Sequence, residues 1–302
     1  MERLEFRAMG CHMLAVIDGE GDEIIAALQQ VPVWFAEWEA CLSRFRIDSE
    51  LSRLNADAGF WMPLSETLWE VLTAAIDAAR QSGGIVTPTL LDALKAAGYT
   101  QDFSAGPGAA APAQTPSATA WETINLDPRL RAVRLPEGVH LDLGGIAKGW
   151  AADEAARRLS AYGAALIDAG GDIAVSGPMA NGAPWPVGIE NPLNPETSLG
   201  LLMLDGGGVA TSGRDYRRWK VGEVWHHHII DPRSGQPAQT TALTTTAIAP
   251  SAREAEMAAK LLFILDDEGL AWIEGRPGYA GMVLREDGEQ RVSSRWADHH
   301  MG

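Results

Sequence analysis

The sequence lacks a long apolar run and a set of cysteines, and each absence narrows what the protein could be. Its two cysteines, Cys11 and Cys41, are too few for a disulfide framework, which favours a reducing compartment or indifference to the redox state. No stretch reaches the roughly 20 apolar residues of a membrane span, and the first residues do not have the apolar core of a signal peptide. We therefore expect a cytoplasmic protein without a membrane span.

Positive charge is also scarce. The 302 residues carry a formal net charge of -16, whereas binding to nucleic acid or to an anionic membrane requires basic patches. Nucleic acid is therefore not an expected partner, although a local basic pocket for a phosphate ligand is still allowed. A hydrophobic fraction of 46% and a charged fraction of 21% are typical of a globular protein with an ample core.

The segment 139–153 (VHLDLGGIAKGWAAD) has the most informative local pattern. A short apolar strand predicted at 139–143 leads through Gly144 and Gly145 into a helix with Lys148 in its first turn. Glycines let a ligand approach the backbone, and the helix N-terminus and a lysine both attract phosphate. The pattern fits a phosphate site, but it fits a plain strand-to-helix turn with a solvated lysine about equally well. The glycine spacing matches neither a Walker loop nor a dinucleotide fingerprint.

Apolar periodicity predicts the main helices. One runs from Glu23 to about Phe45, with Pro32 expected to kink or split it. A second covers 66–81 behind the cap Ser65, and the last clear helix starts at Ser251, which forms a capping box with Glu254. Strands are predicted around these helices, among them 164–168 and 224–230, and 124–135 and 139–143 are predicted to be the strands of a hairpin.

The segment 103–119 (FSAGPGAAAPAQTPSAT) is rich in Ala, Pro and Gly and carries no charge, which predicts a mobile surface loop. We do not expect it to be a domain linker, because the motifs on either side belong to one predicted site. The sequence thus predicts a single domain over 1–302.

Three adjacent histidines, His226, His227 and His228, lie in a predicted strand. Alternation places His226 and His228 on one face, and a metal site from this run alone is not expected, since metal ligands converge from several segments. No Ser/His/Asp or Cys/His nucleophile arrangement stands out by spacing.

Several short motifs follow one another along the chain: 8–10 (AMG), 43–46 (SRFR), 49–55 (SELSRLN), 142–153 (DLGGIAKGWAAD), 169–173 (AGGDI), 210–213 (ATSG) and 228–235 (HIIDPRSG). In sequence and in order, these motifs resemble those of the ApbE family of FAD:protein FMN transferases. The resemblance extends from residue 9 to about residue 265.

The resemblance implies an α+β fold of the tunnelling-fold type, with antiparallel sheets and packed helices. It also implies a site that binds FAD, breaks its pyrophosphate with the help of Mg²⁺, attaches FMN to a Thr or Ser hydroxyl of a target protein, and releases AMP. The partner would then supply the nucleophile, which explains why none is found in this chain. Positive charge is needed at the pyrophosphate to offset the developing negative charge.

The same resemblance assigns roles to individual residues. Those implied to be catalytic are His228 and Lys148, and those implied to hold the metal are the Gly145 carbonyl, Glu256 and the position of Lys260. Those implied to contact FAD are Met9, Phe45, Ile85, Val86, Thr87, Asp142, Lys148 and Ile230.

Two motifs depart from the family pattern. Thr87 stands where the family has an aspartate in a Phe-Asp-Pro-Thr motif, and Glu256 and Lys260 stand where the family has a metal-binding aspartate and threonine. A protonated lysine has no lone pair for a metal. Glu256 and Lys260 could form an ordinary helical ion pair, or the ammonium could replace the charge of the metal. The second possibility implies an alternative function: an FAD-binding protein that has lost metal-dependent transfer.

Overall fold

The computed structural model describes residues 1–101, 119–215, 217–221 and 224–301. The Ala/Pro/Gly segment predicted to be mobile at 103–119 lies outside the described residues, apart from Thr119. Numbered along the chain, the helices are α1 (Asp22–Leu42), α2 (Glu50–Ala56), α3 (Glu66–Gln81), α4 (Leu91–Ala96), α5 (Ala147–Leu159), α6 (Ala252–Leu265) and α7 (Asp267–Glu274).

The strands are numbered in the same way. They are β1 (Glu2–Ala8), β2 (Cys11–Asp18), β3 (Met62–Pro63), β4 (Asn125–Asp127), β5 (Ala132–Arg134), β6 (Ala164–Ala169), β7 (Asp172–Val175), β8 (Trp185–Glu190), β9 (Ser198–Leu204), β10 (Gly207–Gly213), β11 (Arg218–Val221), β12 (Val224–His227), β13 (Ile230–Asp231), β14 (Gln236–Pro237), β15 (Ala242–Ala249), β16 (Ala280–Arg285), β17 (Gln290–Val292) and β18 (His300–Met301).

Contacts between residues divide the chain into two compact units. The first unit comprises Met1–Phe35, Lys148–Asp215 and Thr240–Gly302, and the second comprises Ala36–Ala147 and Tyr216–Gln239. The expectation of one domain over 1–302 stays a prediction. Within the part of the chain described, no helix has both the length and the apolar character needed to cross a membrane.

The first unit is built on an eight-stranded antiparallel sheet in the order β1-β2-β6-β7-β10-β15-β16-β17. A three-stranded sheet, β18-β9-β8, packs on it through apolar side chains such as Trp185 and Leu202, which meet Val16 and Leu166 of the large sheet. The helix α6 packs against β10 and β15, and Thr245 of β15 donates a hydrogen bond to the Ala259 carbonyl at 2.7 Å. The predicted α+β fold with antiparallel sheets is confirmed.

The second unit contains α2, α3 and α4 with three small antiparallel sheets, β3-β5-β4, β11-β12 and β13-β14. The predicted cap is confirmed, because Ser65 accepts a hydrogen bond from the Leu68 amide at 3.2 Å and α3 covers Glu66–Gln81. Pro32 does not split α1, which continues through it to Leu42.

The prediction of a strand at 139–143 is wrong, because this segment joins none of the sheets in the described chain. The side chain of Asn55 takes the place of a neighbouring strand: its Oδ1 accepts from the Leu141 amide at 2.7 Å and its Nδ2 donates to the Leu141 carbonyl at 2.9 Å. The amide of Asp142 is bonded to the Pro88 carbonyl at 2.8 Å. Backbone groups that a strand pattern would assign to a sheet are thus satisfied locally.

Candidate functional site

A buried cluster of four charged side chains lies in the first unit, where α5, β7 and α6 meet. Lys148, in the first turn of α5, donates a short hydrogen bond to Asp172 at the start of β7 and lies 3.4 Å from Glu256 Oε1 of α6. Lys260, one turn further along α6, donates to the same Glu256 oxygen at 2.9 Å. Two ammonium groups and two carboxylates make the cluster formally neutral.

Glu256 is the centre of this cluster. Its side chain is 0% exposed, whereas those of Lys148 and Lys260 are 15% and 16% exposed. The second carboxylate oxygen of Glu256 accepts from the Gly149 amide at 2.9 Å. A Cβ on Gly149 would lie 2.7 Å from the Ala252 carbonyl oxygen, so only glycine lets α5 approach α6 this closely. The carboxylate is therefore bonded by donors from two helices.

The charges in the cluster favour the ionised form of the Glu256 carboxyl group. Burial alone would raise the pKa of Glu256, but the ammonium groups of Lys148 and Lys260 outweigh burial and hold this pKa below its usual value. Asp168, on the adjacent strand β6, behaves differently: burial raises its pKa even though the Gly171 amide and the charge of Lys148 oppose the shift. Glu256 thus favours the ionised form, whereas Asp168 resists ionisation.

Two turns hold the strands near this cluster. Gly170 and Gly171 connect β6 to β7 with φ of 71° and 92°, and a Cβ on Gly170 would lie 2.6 Å from Cβ of Cys11. Met9 and Gly10 form the turn between β1 and β2, and Met9 itself adopts a φ of 48°. This left-handed conformation is uncommon for a residue with a Cβ and is often found at functional positions.

In the second unit, Arg44 pairs with Asp142. The Nε of Arg44 lies 2.5 Å from Asp142 Oδ2, and Oδ1 of the same carboxylate accepts from the Gly144 amide at 2.9 Å. The guanidinium of Arg44 also lies 4.1 Å from the ring centroid of Phe45 and 4.6 Å from that of Tyr99. Asp142 is therefore fixed before any ligand binds.

An aromatic cluster surrounds this ion pair. The ring centroids of Phe45 and Tyr99 are 5.6 Å apart, and those of Tyr99 and Trp219 are 5.5 Å apart. Trp219 donates to the Ala97 carbonyl at 2.8 Å, and the buried Ile230 packs in the same apolar cluster. The structure thus brings the predicted flavin-lining residues Phe45 and Ile230 together through Tyr99 and Trp219.

The remaining predicted residues of the second unit lie in turns. Val86 and Thr87 are buried in the turn after α3, where the hydroxyls of Thr87 and Thr89 are 3.0 Å apart. Gly145 lies in the turn before α5. His228 follows directly after β12, which ends at His227 rather than continuing to 230 as predicted.

Several residues of these clusters were not identified as site residues from the sequence. Asp172 and Arg44 lie in segments that carry the family resemblance, which was the available signal. Tyr99 and Trp219 had no such signal, because their role depends on contacts between distant parts of the chain.

The surroundings of Glu256 do not fit a divalent cation. Mg²⁺ needs several oxygen ligands in octahedral geometry, whereas the oxygens of Glu256 are already bonded to two ammonium groups and an amide. In the ranges that the structure describes, no group of three or more His, Cys, Asp or Glu side chains is arranged to hold a metal. A metal at Glu256 would have to approach two fixed positive charges, which repel it.

Fold and site together define an α+β protein with a buried ionic cluster between two helices and the central sheet. The model of the ApbE family matches residues 9–283. An FAD:protein FMN transferase from Treponema pallidum is 30% identical over 295 residues, covering 91% of this chain and 82% of the relative. An FAD:protein FMN transferase from Salmonella typhimurium is 28% identical and covers 95% of this chain and 85% of the relative. The chain belongs to the ApbE family.

Solved structures agree with this assignment. The apo form of the flavinyl transferase ApbE from Pseudomonas stutzeri has a TM-score of 0.82 at 26% identity, covering 98% of this chain and 96% of that one. The ApbE protein of Thermotoga maritima has a TM-score of 0.88 at 23% identity and covers 100% and 99% of the two chains, which shows the same fold.

Proposed function

We propose that this chain is an FAD:protein FMN transferase, which moves FMN from FAD to a Thr or Ser hydroxyl of a target protein. The observation that carries the proposal is the match to the ApbE family over residues 9–283. It is joined by sequence similarity to FAD:protein FMN transferases over more than four fifths of the length of these relatives. The same match supports FAD as the substrate and a flavin-accepting protein as the partner.

In the proposed reaction, the target hydroxyl oxygen attacks the phosphorus on the FMN side of the FAD pyrophosphate. The bond from that phosphorus to the bridging oxygen breaks, AMP leaves with the bridging oxygen, and the hydroxyl loses its proton. Lys148 is the proposed pyrophosphate contact, because it supplies positive charge at a helix N-terminus. His228 is the proposed proton acceptor, since a neutral imidazole can take a proton near neutral pH.

Three of the proposed flavin contacts have support from the geometry around them. Met9 supports the proposal through its unusual backbone conformation, and Phe45 and Ile230 through the aromatic cluster. The turn at 85–87 and Asp142 are proposed to complete the contacts. Magnesium, which the family resemblance implies at Gly145 and Glu256, has no support from the surroundings of Glu256.

One observation favours a second candidate function. Glu256 and Lys260, at which the family resemblance implies metal ligands, form an ion pair in this chain. An enzyme that had lost its metal would keep FAD binding more readily than transfer. The alternative is therefore an FAD-binding member of the ApbE family without transfer activity. A cytoplasmic location, supported by a sequence with two cysteines, Cys11 and Cys41, suits either function.

The two functions are separated by incubating the purified chain with FAD and an acceptor protein that carries a target threonine. Transfer predicts an increase in acceptor mass equal to one FMN group and one AMP released per modified acceptor. An acceptor with that threonine changed to Ala is the control, and His228→Ala should bind FAD but transfer more slowly. FAD binding with no added mass and no AMP would establish the alternative function.

A further inference from the structure

We infer that Lys260 is a built-in cation that takes the place of a divalent metal at Glu256, so that this chain binds FAD without one. The inference deepens the proposed function and rests on it for the identity of the ligand. Binding of a divalent metal at Glu256, however, can be measured without FAD.

The first step is that Glu256 and Lys260 do not form an ordinary surface pair. Pairs of Glu and Lys four residues apart are usually solvated and contribute little. Here the carboxylate is 0% exposed and lies in a helix whose neighbouring positions, Ala255, Met257, Ala258 and Ala259, are buried and apolar. An ionised carboxylate in such surroundings requires nearby positive charge.

The second step concerns where that positive charge comes from. Lys148 is shared between Asp172 and Glu256, and it lies closer to Asp172. Lys260 contacts Glu256 at 2.9 Å and pairs with no other carboxylate among the residues that the structure describes, so its charge balances that of Glu256 alone. Without Lys260, two buried carboxylates would share one ammonium group, and the cluster would have a net negative charge.

The third step is that a net negative cluster attracts a cation, whereas the neutral cluster does not. Removing Lys260 would free one side of Glu256 Oε1, which now accepts from both lysines. Asp168 lies near enough to Lys148 for the two charges to interact, and it adds a further carboxyl to the surroundings. Lys260 thus both neutralises Glu256 and keeps a divalent ion away from it.

The ammonium group of Lys260 is also partly exposed, with 16% of its side chain accessible. A cation at the edge of a buried cluster can contact an anionic ligand from outside while its other side is fixed by a carboxylate. The arrangement therefore supplies one fixed positive charge to a bound pyrophosphate.

The direct test is Mn²⁺ binding, followed by electron paramagnetic resonance, for the parent and for Lys260→Thr. We expect the variant to bind Mn²⁺ at least about tenfold more tightly than the parent, as removal of one nearby charge allows. The double variant with Lys260→Thr and Glu256→Asp, which carries the residue pair of the family pattern, should bind Mn²⁺ no more weakly than the single variant. Circular dichroism establishes that each variant is folded.

Two variants act as matched controls. Lys260→Arg keeps the charge and should bind Mn²⁺ as weakly as the parent. Lys95→Thr removes an exposed lysine of α4 with the same change in net charge, and should also match the parent. Tight Mn²⁺ binding by the parent, or equal binding by the parent and folded Lys260→Thr, would overturn the inference.

A second measurement separates this inference from the proposed function. The affinity of the parent for FAD, measured by flavin fluorescence, should be the same within about twofold with Mg²⁺ and with EDTA. If FAD binds only with Mg²⁺, the inference is wrong while the proposed function stands. If FAD binds under neither condition, the proposed function fails, and the Mn²⁺ measurement still decides whether Lys260 excludes a metal.

Discussion

Lys148 lies at the second position of α5, where carboxylates of β7 and α6 hold its ammonium group. The side chains of these two partners, Asp172 and Glu256, are 3% and 0% exposed, whereas 15% of the Lys148 side chain is accessible. The ammonium group is therefore held in place by buried partners, while part of the side chain is open to a ligand.

Changing Lys148 to Ala should weaken FAD binding by about tenfold, since one charged hydrogen bond is worth about 1.4 kcal/mol or more. Titration by flavin fluorescence measures the effect, and Lys148→Arg, which keeps the charge, should lose less. The control Lys95→Ala removes an exposed lysine and should leave the affinity unchanged. An unaltered affinity in folded Lys148→Ala would show that Lys148 does not contact the pyrophosphate.

Glu256 should make the stability of the protein depend on pH. Its pKa in the folded protein is below the usual value of 4.5, so its contribution to the free energy of unfolding is present above about pH 4.5 and is lost as the pH falls through the lower folded value. Glu256→Gln cannot ionise, so Lys260 loses its carboxylate partner and Lys148 keeps only Asp172, at a cost of about 3–5 kcal/mol at pH 7.

Urea denaturation of the parent and Glu256→Gln at about pH 7 and about pH 3.5 tests this dependence, because the first value lies above and the second below the usual carboxyl pKa of 4.5, where the loss of stability begins. The difference between the two proteins should shrink at the lower pH. Glu37→Gln, a change at an exposed position of α1, should differ little from the parent at either pH. The same large difference at both pH values would mean that the ionisation of Glu256 is not the source of its effect.

At the scale of elements, helices with clear caps were predictable and irregular segments were not. The bounds of α3 match the prediction because Ser65 caps a strongly periodic sequence, and α6 begins at Ala252 behind Ser251 for the same reason. The segment 139–143 also alternates, but a side chain, Asn55, satisfies the backbone that a strand would pair. Alternation of apolar and polar residues indicates which side chains are buried, but it does not indicate which groups form hydrogen bonds with the backbone.

The contact between α5 and α6 depends on Gly149. An Ala at this position would place its Cβ 2.7 Å from both the Ala252 oxygen and the Arg253 Cα, so the helices would have to separate. We expect Gly149→Ala to lower the free energy of unfolding by about 1–3 kcal/mol, the usual cost of overpacking. Helix propensity alone predicts the opposite sign, a gain of up to about 1 kcal/mol.

Chemical denaturation decides between the two signs. Gly206→Ala is the matched control, because a Cβ there meets nothing within 4 Å, and it should change the stability little. Stabilisation by Gly149→Ala would show that the two helices accommodate a methyl group and that the hydrogen bond from Gly149 to Glu256 is not tightly constrained.

For the whole molecule, the class of fold could be predicted, whereas the path of the chain could not. The second unit is formed by two segments, Ala36–Ala147 and Tyr216–Gln239, that interrupt the first unit, and the neighbouring strands β10 and β15 lie on either side of the second segment. Pairings of this kind depend on tertiary packing, which sequence periodicity does not record. The order of motifs typical of the family was therefore the only sequence signal that linked both units to one function.

Binding of FAD should stabilise the folded chain as a whole against heat. A ligand at a concentration of 100 Kd contributes about 2.7 kcal/mol, which for a chain of this size raises the melting temperature by about 5 °C. Differential scanning calorimetry should show this rise with EDTA present, because Lys260 already balances the charge of Glu256. Lys148→Ala at the same FAD concentration should show a smaller rise, since its lower affinity reduces the ratio of ligand concentration to Kd. If the scan resolves separate transitions for the two units, the transition that moves identifies the unit that FAD stabilises. A folded parent whose melting temperature did not change with FAD would contradict both the proposed substrate and the role of Lys148.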